Sequence, residues 1–382
     1  MQFKKNNIFF KIFLVSTLCL CWYFFHNNKD VYKRFFKEKQ HSKKISTIYG
    51  SIEITEPVLL DIFDSKAMQR IKQVHQYGHA FFVKYRENPK KLYTRYEHSI
   101  GVWFLLRKFG ASLEEQIAGL LHDASHTVFS HVGDYLFKKQ NEKDSYQDGI
   151  HEWYLRKTDV PEILEKHGMS LKNVLHKDNG YKMLEQNLPA LCADRIEYNL
   201  YGGFIEGMLT LEEVQNMVQA LCYEDGKWFF KDIALAKKFS LVPLRLSISE
   251  WGGPETFLSN NWMADTLQRA VDIQLLTVDD VHFSTDDVVW NKLNDCKDAK
   301  IQENLYKMKQ GAGAFRLSNS SNSDLFIKTK FRGVDPFVKL DNELKLLSEA
   351  DNDYEKLYAS KKEKVARGWH VKVINWPLEV AE

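Results

Sequence analysis

The stretch Leu120–His131, LLHDASHTVFSH, sets three histidines and an aspartate inside an otherwise apolar run. Imidazoles and carboxylates are costly to bury unless something pairs with them, so their concentration beside Leu120, Leu121, Val128 and Phe129 calls for a partner. In the preceding SLEEQIAGLL, Ile117, Leu120 and Leu121 fall at helical spacing, which predicts a helix whose C-terminal end carries His122 and Asp123 into a core. Divalent cations in hydrolytic sites take imidazole nitrogens and carboxylate oxygens and keep one coordination position open. Two further ligands are offered by His98 in TRYEHSIG and Asp194 in LCADRIEYN, each on a helix of apolar character. His126 follows His122 by one helical turn if the helix persists. Singly, each of these residues reads as an ordinary side chain. Collectively the balance turns, because five of the thirteen histidines fall between His98 and His151.

Around this stretch most of the chain reads as amphipathic helix, with segments expected over Ser99–Phe109, Ser112–His122, Gly149–Lys157, Tyr181–Tyr201, Leu211–Cys222 and Trp262–Leu276. GAGA at Gly311–Ala314 marks a break, after which LFIKTKFRGVDPFVKL and GWHVKVINW alternate like strands around a charged helix near Tyr354–Ala366. The expected fold class is mainly α with a small α+β C-terminal lobe. The chain divides on this reading into an N-terminal segment (1–26), a basic linker (27–44), a catalytic core (45–245), a helical extension (246–310) and the C-terminal lobe (311–382).

A length of 382 residues, 44% hydrophobic and 27% charged, gives ordinary globular composition, and a formal charge of +2 gives no general field for nucleic acid. The basic residues Lys29 to Lys44 are the sole nucleic-acid cue, and they read better as a solvated or membrane-flanking segment. Of five cysteines, Cys19 and Cys21 lie in the N-terminal apolar run, and Cys192, Cys222 and Cys296 are too scattered for a disulfide framework or a C-x-x-C zinc site. The run Ile8–Phe25 is nearly all apolar and ends in bulky Trp22, Tyr23, Phe24 and Phe25, so an uncleaved membrane anchor is expected. The basic residues after it predict a cytoplasmic catalytic domain by the positive-inside rule, with a secreted or periplasmic protein as the alternative.

The pattern H…HD…D, together with RYEHSIGV, IAGLLHDASHTVFSHVGDYLF, HEWYL and ADRIEY, resembles the HD-domain phosphohydrolases. Within them it is similar to the deoxynucleotide triphosphohydrolases that join a sterile-alpha-motif domain to an HD domain, and to their bacterial relatives, without the sterile-alpha-motif part. The resemblance implies a helical HD-domain core and a metal centre of His98, His122, Asp123 and Asp194 holding one divalent transition metal: iron, manganese or zinc. It implies catalytic roles around the phosphates for His126, His131 and His151, with Asp134 and Glu152 orienting imidazoles. It also implies nucleotide contacts from Gln76, Arg95, Arg195 and Tyr198, and magnesium accompanying the phosphates. A cation in such a site lowers the pKa of water toward about 7. An imidazole, here His131, protonates the nucleoside 5′-oxygen as it leaves.

The chain departs from that family in three places. Gly202 stands where the family carries an acid for the sugar 3′-hydroxyl, and Ser46 where it carries an acid for a regulatory guanine nucleotide. A tyrosine–glutamine pair of the base pocket has no counterpart near SLVPLRLSISEWGGP. The expected activity is hydrolysis of a (d)NTP to nucleoside and triphosphate. A membrane-tethered nucleotide-binding scaffold without turnover, or an HD phosphodiesterase or phosphatase of another nucleotide, stands as the alternative, and homo-oligomerisation is left open.

Overall fold

Thr94 and Glu97 start the helix around which the rest is arranged. The Thr94 hydroxyl accepts the backbone N–H of Tyr96 and Glu97, and the Glu97 carboxylate accepts the N–H of Thr94 at 3.0 Å, a reciprocal cap. The helix, α1, runs Arg95–Lys108, and Ile100 through Leu106 are all buried. A helix covered on every side belongs at the centre of a bundle, not at its surface. α2 (Leu113–Leu121), whose N-cap hydroxyl Ser112 accepts the Glu115 N–H, packs antiparallel-fashion back along it. α3 (Val132–Leu136), α4 (Tyr146–Leu155) and α5 (Ala193–Ile205) complete the helical shell that matters for the site.

The computed structural model describes residues 42–88, 91–137 and 145–374. Among these residues no helix is long and apolar enough to cross a membrane. The expected anchor at Ile8–Phe25 lies outside them. Membrane anchoring, the membrane as a partner and the topology deduced from them thus have no structural support, and that expectation is corrected here: the described protein is a helical fold without a spanning segment.

One large core gathers Val102, Trp103, Leu105, Leu106, Ile117, Leu120, Leu121, Ile196 and Leu200, all at or near zero exposure. A second, around Phe82, Phe129, Met263, Leu267, Trp290 and Leu305, holds the helices at Pro254–Asp272 and Ala299–Gln310 against the turn after His126. The C-terminal part is α+β, as the alternation implies, with strands Leu325–Ile327, Phe337–Leu340, Glu343–Leu346 and Trp369–Val373 and the helix Asn352–Arg367. It is stitched to the helical part by a shared sheet. The hairpin Leu221–Glu224/Lys227–Phe230 pairs in parallel with Phe337–Leu340, Phe229 opposite Phe337, and Glu343–Leu346 closes the edge. That hairpin was not expected: its first strand takes Leu221 and Cys222, the last two residues of the helix expected over Leu211–Cys222, and the helix stops at Ala220.

Candidate metal centre

His98 lies one turn into α1 and is 1% exposed. Its Nδ1 donates to Glu197 Oε2 at 2.5 Å, which leaves the Nε2 lone pair facing inward. Glu197, on α5 and wholly buried, also accepts the hydroxyls of Tyr93 at 2.5 Å and Tyr49 at 2.9 Å. Its close approach depends on Gly101: a Cβ there would stand 2.3 Å from Glu197 Oε1. His122 follows the last residue of α2, and its Nδ1 donates to the Gly119 carbonyl at 2.8 Å, so its Nε2 lone pair also turns inward. Ligand histidines are commonly fixed in this way, by a bond from the other ring nitrogen.

The two inward nitrogens lie 3.2 Å apart. Asp194 Oδ1 lies 2.9 Å from His98 Nε2 and 3.6 Å from His122 Nε2, and the Asp123 oxygens lie 3.4 and 3.5 Å from the same two atoms. Ligand atoms bound at about 2.0–2.2 Å in tetrahedral to octahedral array stand about 2.9–3.6 Å apart, so the spacing of His98, His122 and Asp194 fits a single cation, with Asp123 beside them. Charge points the same way. Asp123, Asp194 and Glu197 face one cationic side chain, Arg95, whose Nη1 donates to Asp123 Oδ2 at 2.7 Å. With neutral imidazoles the pocket carries two uncompensated negative charges, which a divalent ion cancels. The same imbalance acts on His98: burial opposes its charging, but Glu197, Asp194 and Asp123 outweigh this and push its pKa up to about 10. Burial also opposes ionisation of Asp123, and His122, Arg95 and His126 still hold it well below the carboxylate range.

α2 ends at Leu121 with His122 as its cap, close to the expected end, so the helix does not persist to His126 and a tight turn carries that residue back to the site. Phe129 and Ser130 both take positive φ, 58° and 59°. Such backbone persists only where the surroundings over-determine it. Here the buried Asp286 accepts the N–H of Phe129 at 2.7 Å and of His75 at 2.8 Å, and the Ser130 hydroxyl donates to the His75 carbonyl and accepts from Arg95 Nε. His126 Nε2 thereby lies 3.2 Å from Asp123 Oδ1, while its Nδ1 is buried without a partner. Burial, with Arg95 nearby, lowers its pKa to about 4.

His131 stands at the mouth, half-exposed, its ring 5.0 Å from that of His126 and its Nδ1 3.4 Å from Asp134 Oδ2. Asp134 is anchored by the Tyr146 N–H at 2.6 Å. His151 is buried, bonded to the Ser125 hydroxyl at 2.8 Å, with Nε2 unpartnered, and burial lowers its pKa to about 3. Its ring lies 5.5 Å from that of His176, a residue the sequence did not single out because it follows a Val-Leu pair with no motif around it. Glu152 is not brought to the site. One position along α4 turns it outward, where it is half-exposed and bonded to Arg156.

The ligands open into a cavity of about 590 Å³ lined by Gln76, Arg95, Arg195 and Tyr198 and also by His176, Lys328 and Arg332. Arg195 does not pair with Glu197; its guanidinium donates to the Ala190 and Gln186 carbonyls and lies 3.4 Å from Glu185. Lys328 and Arg332 come from the stretch before Phe337–Leu340, far from any site residue in sequence. The shared sheet on one side, and on the other the pairing of Leu325–Ile327 with Trp369–Val373 and the bond from the Thr329 hydroxyl to the Gly252 carbonyl, bring this segment to the cavity.

The model of the HD domain matches residues 95–215, the stretch that holds all four candidate ligands. YdhJ of Bacillus subtilis, itself uncharacterised, is 33% identical over 327 residues, 86% of this chain and 98% of the relative. The metal-dependent phosphohydrolase cns2 of Cordyceps militaris is 39% identical over 174 residues, 46% of this chain and 48% of its own. The deoxynucleoside triphosphate triphosphohydrolase SAMHD1 of Xenopus laevis is 29% identical over 149 residues, 34% of this chain but 23% of its own. Among solved structures, a hypothetical protein from Aquifex aeolicus has the same fold at a TM-score of 0.61 and 16% identity, covering 85% of this chain and 99% of that one. Buried histidines and aspartates at ligand spacing, on helices shared along nearly the whole length of a relative, carry one conclusion: this chain belongs to the HD-domain family of metal-dependent phosphohydrolases.

Proposed function

We propose that the protein hydrolyses nucleoside triphosphates at the α-phosphorus, most readily deoxynucleotides, to give nucleoside and inorganic triphosphate. The observation that carries this reading is the meeting of the His98, His122 and Asp194 cluster, with Asp123 beside it, and a cavity that His122, Asp123 and Asp194 line together with His126, His131 and cations from a distant segment. The volume suits a nucleotide-sized ligand. Lys328 and Arg332 suit a polyphosphate, and the likeness to SAMHD1 supplies the deoxynucleotide triphosphate class.

His98, His122, Asp123 and Asp194 would hold a divalent cation, which when bound would supply Lewis acidity at the α-phosphate and lower the pKa of water. The protein's own groups do the rest. Arg95, spanning Asp123 and Ser130, keeps the ligand carboxylate and the strained turn in register. His126, low in pKa and so neutral, offers an unprotonated ring toward the phosphate side. His131, held by Asp134, delivers a proton to O5′ as its bond to phosphorus breaks, while water oxygen forms the new bond to phosphorus.

The test is incubation of the purified protein, loaded in turn with manganese, iron or zinc, with a nucleotide panel. Inorganic triphosphate is the expected product. Orthophosphate or pyrophosphate would reject attack at the α-phosphorus, and bound metal with nucleotide affinity but no product would favour a binding protein.

A further inference from the structure

α5 forms the floor of the cavity. Asp194, Tyr198 and Gly202 succeed one another at a spacing of one turn and all three line it, with Glu206 a further turn along at the helix end. Asp194 to Glu206 therefore spans about 18 Å along the helix axis. The metal end lies at Asp194. A nucleotide with its phosphates at that end extends its sugar and base past Tyr198 and Gly202.

The wall at that far end has a distinct composition. A Cβ on Gly202 would meet Leu246 Cδ1 at 3.5 Å and Trp251 Cζ2 at 3.6 Å, so the indole of Trp251 lies where a longer residue 202 would project. Tyr198 stands edge-on to that indole, centroids 5.3 Å apart at 87°. This apolar surface suits a planar ring. Three neighbouring carboxylates, of which Glu250 lines the same cavity as Trp251, have unequal commitments. Glu206 is bound to Lys91 at 2.7 Å and to the Tyr77 hydroxyl at 3.4 Å, and Glu255 is bound to Lys84. Glu250 lines the cavity and, among the described residues, its carboxylate makes no ion pair and has the Tyr85 hydroxyl as a hydrogen-bond partner. Burial, then the charge of Glu206, raises its pKa, while Lys84 and Lys91 act in the opposite sense.

We infer that Glu250, which lines the cavity together with Trp251 and Tyr198, is the specificity-determining residue for the base, and that it selects guanine. The inference rests on the nucleotide reading above and names which nucleotide. A carboxylate accepts two parallel N–H groups in bidentate fashion. Guanine alone presents two adjacent donors, N1–H and N2–H. Adenine and cytosine set an amino group beside a ring acceptor that would face the carboxylate, and thymine flanks its one N–H with two carbonyls.

The experiment compares kcat/KM for dGTP, dATP, dCTP and dTTP in the full-length metal-loaded protein, with equilibrium binding of non-hydrolysable dGTP and dTTP analogues alongside. Wild type should favour dGTP by at least about tenfold. Glu250→Gln turns an amide N–H against the base donors and should lower dGTP kcat/KM by about 30- to 100-fold, with dTTP changed by less than about threefold. A parallel thermal melt, with Glu250→Asp as a second variant, separates misfolding from lost recognition. Hydrolysis without base preference, or an equal loss on all four nucleotides in folded Glu250→Gln, overturns the role of Glu250 and leaves the nucleotide reading standing. Wild type that neither binds nor hydrolyses any nucleotide overturns both.

Discussion

Replacing Glu197 tests the metal centre through a residue that does not touch the cation. Its carboxylate takes three buried donors, His98 Nδ1–H and the hydroxyls of Tyr93 and Tyr49, and supplies one of three buried negative charges facing Arg95. Glu197→Gln keeps the shape and one acceptor oxygen but removes a charge, so His98 loses both its orienting partner and part of its basicity. Loss of such a partner costs about 10- to 100-fold in metal affinity, or about 1.4–2.7 kcal/mol. Glu197→Ala should do more, because three buried donors then lack an acceptor at about 1–3 kcal/mol each, a large part of a total stability of about 5–15 kcal/mol. The assay is titration of chelator-stripped protein with manganese by calorimetry, paired with urea unfolding of the metal-free form. Glu197→Gln is expected to bind more weakly at nearly unchanged metal-free stability, with activity regained at excess metal. Gly101→Ala, which would press on the same carboxylate from α1, should weaken binding in the same sense. Wild-type affinity in Glu197→Gln would show that His98 does not bind the cation through Nε2 and would undo the proposed centre.

His131→Ala should retain the metal and lose about 10²- to 10⁴-fold in kcat, read by single-turnover assay at saturating nucleotide, whereas full activity would remove His131 as the acid. Glu152→Ala, on the outer face of α4, should change kcat/KM by less than about threefold; a large loss would put Glu152 back in the site. Asp286→Ala strips the acceptor from two buried N–H groups and should cost about 2–4 kcal/mol by urea unfolding, with activity falling as the Phe129–Ser130 turn loosens. His79, bonded to the Ser259 hydroxyl, has its pKa lowered to about 3 by burial, so the unfolded chain binds the extra proton first as pH falls. Its contribution is intact above the unfolded value of about 6.5 and falls by about 2 kcal/mol by pH 5. Urea midpoints at pH 7 and 5 should therefore converge in His79→Gln relative to wild type, and an unchanged acid loss would exclude this group.

Local chemistry made much of this legible from residues alone. Clustered histidines in an apolar run implied burial with a purpose, and the period of Ile117, Leu120 and Leu121 placed His122 and Asp123 at a helix end. The charged helix found at Asn352–Arg367 and the strand at Trp369–Val373 follow from pattern in the same way. The helix expected over Tyr181–Tyr201 was shortened to begin at Ala193, because a stretch through Pro189 cannot supply helical N–H groups. Only tertiary structure decided the rest. Glu197 reads as a neighbour of Arg195 until α1 and α5 pack at Gly101, and Lys328 and Arg332 read as strand residues until sheet pairing at both ends of their segment and the Thr329–Gly252 bond bring it to the cavity. His126 reaches Asp123 by a turn held open by Asp286, which lies more than a hundred residues away in sequence. Periodicity encodes which face of an element is buried, whereas which faces meet depends on long-range packing that no local window contains.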